Sequence, residues 1–175
     1  KKGMVAMKGS YHGKSFGALS LTFNPKYRKA FSPLVEKVSF ASFGDMDSLR
    51  SAIDEDTALI ILEPIQGESG IIVAPDGFLQ EVRNLCDEKG ILLVFDEIQA
   101  GLGRTGRLWA GEHWNTVPDI LCLAKGIAGG VPMGATLVRP DILAAISKGE
   151  HSSTFGGNPI SCAAGIAALT SITED

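Results

Sequence analysis

Short unbroken apolar runs alternate along this chain with stretches of helical spacing. Residues 3–7, 38–43, 57–62, 91–95, 119–124 and 133–138 read as strands. Between them, Met46, Leu49 and Ile53 share one helical face, with Asp45 or Asp47 available as the cap. Phe78, Val82, Leu85 and Lys89 fall at helical spacing between Pro75-Asp76-Gly77 and Gly90, an opening and a closing signal. Residues 14–22 read as helical or irregular, and Asn24-Pro25 marks a turn. Residues 66–70 read as a loop and 101–114 as a Gly- and Arg-bearing connection. Pro140 opens a helix with Ile142, Leu143 and Ile146 on one side, and residues 159–172 form an Ala-rich helix. Continuous apolar strands suit a parallel sheet covered on both faces, so 57–95 is expected to be a right-handed β-α-β unit.

Three buried strands run straight into a charged residue: Glu63, Asp96 and Lys125. If the strands are parallel, all three charges reach one edge of the sheet, where open α/β folds bind ligands. An ion pair buried there is a poor stabiliser, because desolvation offsets the attraction. An acid and a lysine that instead face a shared cofactor suit pyridoxal phosphate (PLP). Its aldehyde forms a Schiff base with a lysine, and its ring nitrogen needs a carboxylate to stay protonated.

Composition narrows the alternatives. The 175 residues carry 16 Lys and Arg against 20 Asp and Glu, a net charge of -4, which argues against a protein held to nucleic acid by phosphates. No apolar stretch is long enough to span a bilayer. Cys86, Cys122 and Cys162 are odd in number and far apart, as expected of reduced thiols in an intracellular, cytoplasmic protein. His12, His113 and His151 make no metal-ligand spacing, so no metal is expected. Gly101-Leu102-Gly103-Arg104-Thr105-Gly106 matches the dinucleotide fingerprint GxGxxG, but Glu97 to Ala100 separate it from the strand, which disfavours an NAD-binding module. A non-catalytic module is the other alternative.

Asp96-Glu97-Ile98-Gln99, Gly103-Arg104-Thr105-Gly106, Pro118-Asp119-Ile120 and Lys125-Gly126 occur in that order. So do Tyr11-His12-Gly13, Glu63-Pro64-Ile65-Gln66-Gly67-Glu68 and Ser153-Thr154-Phe155-Gly156-Gly157-Asn158-Pro159. Together they resemble the class III, fold-type I PLP-dependent aminotransferases, nearest to the acetylornithine/ornithine and diamine branches. The resemblance implies a three-layer α/β/α fold with a mostly parallel central sheet. It makes residues 1–175 a single domain, part of the large PLP-binding domain, with an N-terminal phosphate-cradling segment and a C-terminal small domain lying outside it. The start, Lys1-Lys2-Gly3, also suggests a piece of something longer. Such a piece is expected to bind cofactor poorly, to have little activity and to aggregate through uncovered apolar surface.

By the same resemblance Lys125 is the Schiff-base lysine, and Asp96, Glu97, Ile98 and Gln99 belong to the cofactor site. Asp96 meets the ring nitrogen and Gln99 the ring hydroxyl; Tyr11 stacks on the ring. Thr154 reaches the phosphate across a homodimer interface, with Ser153 close to substrate. Glu68 is the carboxylate that exchanges partners with a substrate-binding arginine. Glu63 is a support residue, and His12 serves either packing or chemistry. The implied reaction transfers the ω-amino group of an acetylornithine- or ornithine-like donor to 2-oxoglutarate. Lys14 stands where acetylornithine and ornithine enzymes usually carry Arg; a Lys cannot clamp a carboxylate bidentately, so a putrescine-type diamine donor is the alternative. A racemase or aminomutase on the same scaffold shares the proton-transfer machinery.

Overall fold

The computed structural model describes residues 1–174. Among these residues eight strands and six α-helices follow in chain order, with short 3-10 turns at Lys29–Phe31, Ala110–Trp114 and Lys125–Ala128: β1 (Gly3–Met7), α1 (Phe16–Leu21), α2 (Pro25–Arg28), β2 (Val38–Ala41), α3 (Met46–Ala52), β3 (Thr57–Leu62), β4 (Ile65–Gln66), β5 (Ile72–Val73), α4 (Phe78–Lys89), β6 (Leu92–Asp96), β7 (Ile120–Leu123), β8 (Ala135–Val138), α5 (Pro140–Leu143) and α6 (Pro159–Glu174). Six strands form one sheet in the order β2-β1-β3-β6-β7-β8, and β4-β5 form a separate small hairpin. β2, β1, β3, β6 and β7 are parallel; β8 runs antiparallel to β7. The expected mixed α/β architecture with a mostly parallel central sheet is therefore present, with β3, α4 and β6 as the β-α-β unit.

The core follows from strand alternation, since successive side chains leave a strand on opposite faces. Val5, Met7, Ile60, Leu62, Leu93 and Phe95 point to one face, where they meet Leu79, Val82, Leu85 and Cys86 of α4 and Leu49 of α3. Ala6, Ile61 and Val94 point to the other, where Leu21 at the end of α1 packs on them. Asp45 is the cap that α3 uses, its side chain accepting the Ser48 N–H at 2.9 Å. Gly90 closes α4 in the left-handed conformation (φ 59°), its N–H bonded to the Cys86 carbonyl.

Three local expectations change. Residues 66–70 are not wholly loop, because Ile65–Gln66 pair with Ile72–Val73; two-residue strands carry no readable period. Asn24-Pro25 caps the short helix α2 rather than making a simple turn, Asn24 Oδ1 accepting the Lys26 N–H. The helix at Pro140 is a single turn, and Leu143 and Ile146 are exposed. All three cysteines are free thiols, Cys86 buried and the others half-buried. Among the described residues no helix is long and apolar enough to cross a membrane.

Candidate active site

β3, β6 and β7 are neighbours in parallel register, so their carboxyl ends lie side by side. The residues just past those ends meet in one cavity lined by Tyr11, His12, Gly13, Glu63, Asp96, Ile98, Gln99 and Lys125. Glu63, Asp96 and Lys125 thus converge as the strand ends imply, joined by the β1–α1 loop.

Asp96 is buried and each of its oxygens has one donor. Oδ2 lies 2.8 Å from His12 Nδ1, and Oδ1 accepts the Ile98 N–H at 3.1 Å. The side chains of His12 and Asp96 are only 2% and 6% exposed. An ionised carboxylate only accepts, so opposite one the His12 Nδ1 is the donor. Its Nε2 is buried without a partner among the described residues. His12 is thereby a direct partner of the acid. Its main chain is fixed as well, its N–H bonding Thr22 Oγ1 at 3.0 Å.

Lys125 follows β7 by two residues and has φ +47°, a left-handed backbone that side-chain-bearing residues adopt at a cost of about 1–2 kcal/mol. Such strain gathers where a side chain must be aimed. Among the described residues no carboxylate comes within ion-pair distance of Lys125 Nζ, although Asp96 lines the same cavity. The acid and the lysine do not neutralise each other.

Gln99 and Ile98 line the cavity, in a run of turns after β6. Tyr11 lines it too, with its ring edge-on to Tyr27 (5.7 Å, 74°). Glu97 does not line it: its carboxylate is engaged away from the cavity. Consecutive residues at a strand end point opposite ways, and the Glu97 carboxylate accepts the N–H groups of Ala110 (2.6 Å) and Gly111 (2.8 Å). Burial pushes its carboxyl above the ordinary range, with those two N–H groups pulling the other way.

The remaining site residues lie elsewhere on this chain. Glu68 lines an adjoining cavity with Tyr11, Phe23, Asn24, Tyr27 and Ser69. Lys14 is exposed, with Nζ over the Tyr27 ring at 4.8 Å to its centre. Ser153 and Thr154 are exposed, and neither lines the Asp96 cavity. Asp119 is structural: it immediately precedes β7 and binds Leu93 N–H, Arg83 and Arg139. The GxGxxG run opens no helix. Residues 98–105 are turns, so the pyrophosphate-binding helix N-terminus of a dinucleotide fold is missing there.

The sequence model of the class-III aminotransferases matches residues 1–175. The chain belongs to the class-III aminotransferase family. It is 50% identical over 171 residues to the acetylornithine aminotransferase of Methanopyrus kandleri, covering 98% of this chain and 44% of that protein. It is 47% identical over 173 residues to ornithine aminotransferase 1 of Staphylococcus saprophyticus, again 98% and 44%. In three dimensions it resembles the ornithine aminotransferase of Toxoplasma gondii at a TM-score of 0.94 and 37% identity, covering 98% of this chain and 41% of that one; that structure has PLP at partial occupancy in its active site. The chain spans less than half the length of the curated relatives it matches.

Proposed function

We propose that this chain carries the cofactor-binding core of a PLP-dependent aminotransferase, which moves the ω-amino group of an acetylornithine- or ornithine-like donor to 2-oxoglutarate. The observation that carries this reading is the cavity where Lys125, unpaired among the described residues, faces the buried Asp96–His12 pair. The residues fit the group. Among the described residues each Asp96 oxygen has a single donor, which leaves a lone pair for a protonated ring nitrogen. Tyr11 offers a flat face, and Gln99 an amide for a ring hydroxyl.

When bound, PLP supplies an aldehyde for the amine and an electron-withdrawing ring. Lys125 would provide the amine that holds that aldehyde, and its free Nζ would move a proton to and from the donor carbon. Asp96 keeps the ring nitrogen protonated, and the hydrogen bond from His12 fixes the carboxylate that does so; about 1.4 kcal/mol accompanies each unit of ring pKa. In a homodimer Thr154 would hold the phosphate bound by the second copy, and Ser153, Glu68 and Lys14 would contact the donor. The relatives of high identity named above favour acetylornithine or ornithine. Lys14, resting on Tyr27 and able to make only a point-charge contact, favours the diamine reading.

The test uses the protein expressed from its complete reading frame. Borohydride should fix PLP onto the wild type and not onto Lys125→Ala; equal fixation of both removes Lys125 from its role. With 2-oxoglutarate as acceptor, acetylornithine or ornithine should turn over. Turnover of putrescine alone establishes the diamine reading instead.

A further inference from the structure

Glu63 stands on the cavity wall with 4% of its surface exposed, and none of the chemistry above uses it. Its two oxygens are committed to two different loops. Oε2 accepts the Tyr11 N–H at 3.1 Å, and Oε1 accepts the Gly67 N–H at 3.3 Å. Among the described residues it forms no ion pair, so these two backbone donors are its partners. Burial pushes its carboxyl above the ordinary range, while the donors and His12 pull it down and Asp96 pushes it further up.

The two loops carry different contacts of the site. One presents Tyr11 and, next to it, the His12 that holds Asp96. The other passes directly under Gln99. A Cβ placed on Gly67 would collide with the Gln99 side-chain amide, so the bare Gly67 backbone is the floor on which Gln99 rests. Two further straps tie the loops together: Gln66 Nε2 donates to the Lys8 carbonyl at 3.0 Å and Ser69 Oγ to the Gly9 carbonyl at 2.6 Å. Among the described residues, only Glu63 joins them from inside the cavity.

We propose that Glu63 is a positioning residue that holds the Tyr11 loop and the Gly67–Gln99 floor in one frame, so that the stacking and hydroxyl-side contacts of the cofactor form together. The proposal rests on the PLP reading of this site. Its measurement is the PLP dissociation constant of the complete protein, by equilibrium dialysis, for the wild type, Glu63→Gln, Gln99→Ala and the double variant. The glutamine keeps the volume and can accept only one of the two N–H groups. Glu63→Gln should weaken PLP about tenfold, the worth of one hydrogen bond to a charged group. Because Glu63 acts partly through Gln99, the same change in the Gln99→Ala background should cost only about threefold. A full tenfold loss in both backgrounds, or wild-type affinity in Glu63→Gln, overturns the proposal. Should Glu63→Gln not fold, Gly67→Ala leaves Glu63 intact and presses on Gln99 instead. A tenfold loss there supports the coupling of floor and amide, and unchanged affinity refutes it. A wild type that binds no PLP defeats the cofactor reading itself, which is a separate outcome.

Discussion

Asp119→Ala should destabilise the protein by about 3–5 kcal/mol, and Asp119→Asn by only about 1 kcal/mol. Asp119 is 3% exposed at the entrance to β7 and serves three donors. Oδ2 takes the Leu93 N–H at 2.7 Å and Arg83 Nη1 at 3.0 Å; Oδ1 takes Arg139 Nη1 at 2.5 Å. Leu93 is fully buried on a central strand, so alanine leaves its N–H without a partner, at about 1–3 kcal/mol. Alanine also strips the inner partner from Arg83, whose side chain is 17% exposed. Arg139, 49% exposed and still paired with Asp141, adds little. Asparagine keeps an oxygen toward Leu93 and Arg83 and turns its NH2 toward the half-exposed Arg139, which water can serve. Urea unfolding at unchanged m-value measures both. The two variants falling within about 0.5 kcal/mol of each other would refute the reasoning, because then the buried N–H is not what Asp119 is for. Asp119 lies outside the Asp96 cavity, so cofactor binding by the folded fraction should be unchanged.

Gly111→Ala should cost about 1–3 kcal/mol, because a Cβ there would sit 2.8 Å from the Thr116 carbonyl oxygen and 2.9 Å from the Phe95 ring, neither free to move; a loss under 0.5 kcal/mol by the same assay contradicts the contact. Asp45→Ala should remove the α3 cap and about 1 kcal/mol, with the Ser48 amide exchanging faster by hydrogen exchange. Glu97 gives a pH prediction. Its folded-state pKa is raised, so its protonation favours the fold; that contribution is full below the ordinary glutamate pKa and is lost as pH rises through the raised one. The stability of the wild type relative to Glu97→Gln, which cannot ionise, should therefore fall as pH climbs from the ordinary glutamate range toward neutral. A difference independent of pH shows that Glu97 keeps an ordinary pKa.

Much of the frame was legible because it is local. Apolar runs mark the strands of the sheet, and helical spacing with Gly90 at its end marks α4. Both patterns reflect neighbours within a few residues. The sign of β8 was also within reach: too few residues separate it from β7 for a parallel crossover, so only an antiparallel return fits. Strand alternation likewise carried the signal that turns Glu97 away from Asp96. The β4–β5 hairpin and the single-turn α5 gave no comparable signal, being shorter than the period that would reveal them.

Asp96, Glu63 and Lys125 could be placed at one edge from sequence because each ends a buried strand, and parallel strands share an edge. What those charges touch was decided only by the tertiary structure. His12 meets Asp96 across 84 residues of chain, and Tyr11 meets Glu63 across 52. No periodicity reaches that far; such pairs follow from which strands become neighbours and how tightly the loops above them close. The same packing made Gly67 the floor under Gln99 and drew Asp119 into the scaffold. Sequence alone determined the strands, their charged tips and the family pattern, since these rest on short-range order. Partners, facing directions and the clamp at Glu63 are properties of packed neighbours, so they existed only once the chain had folded.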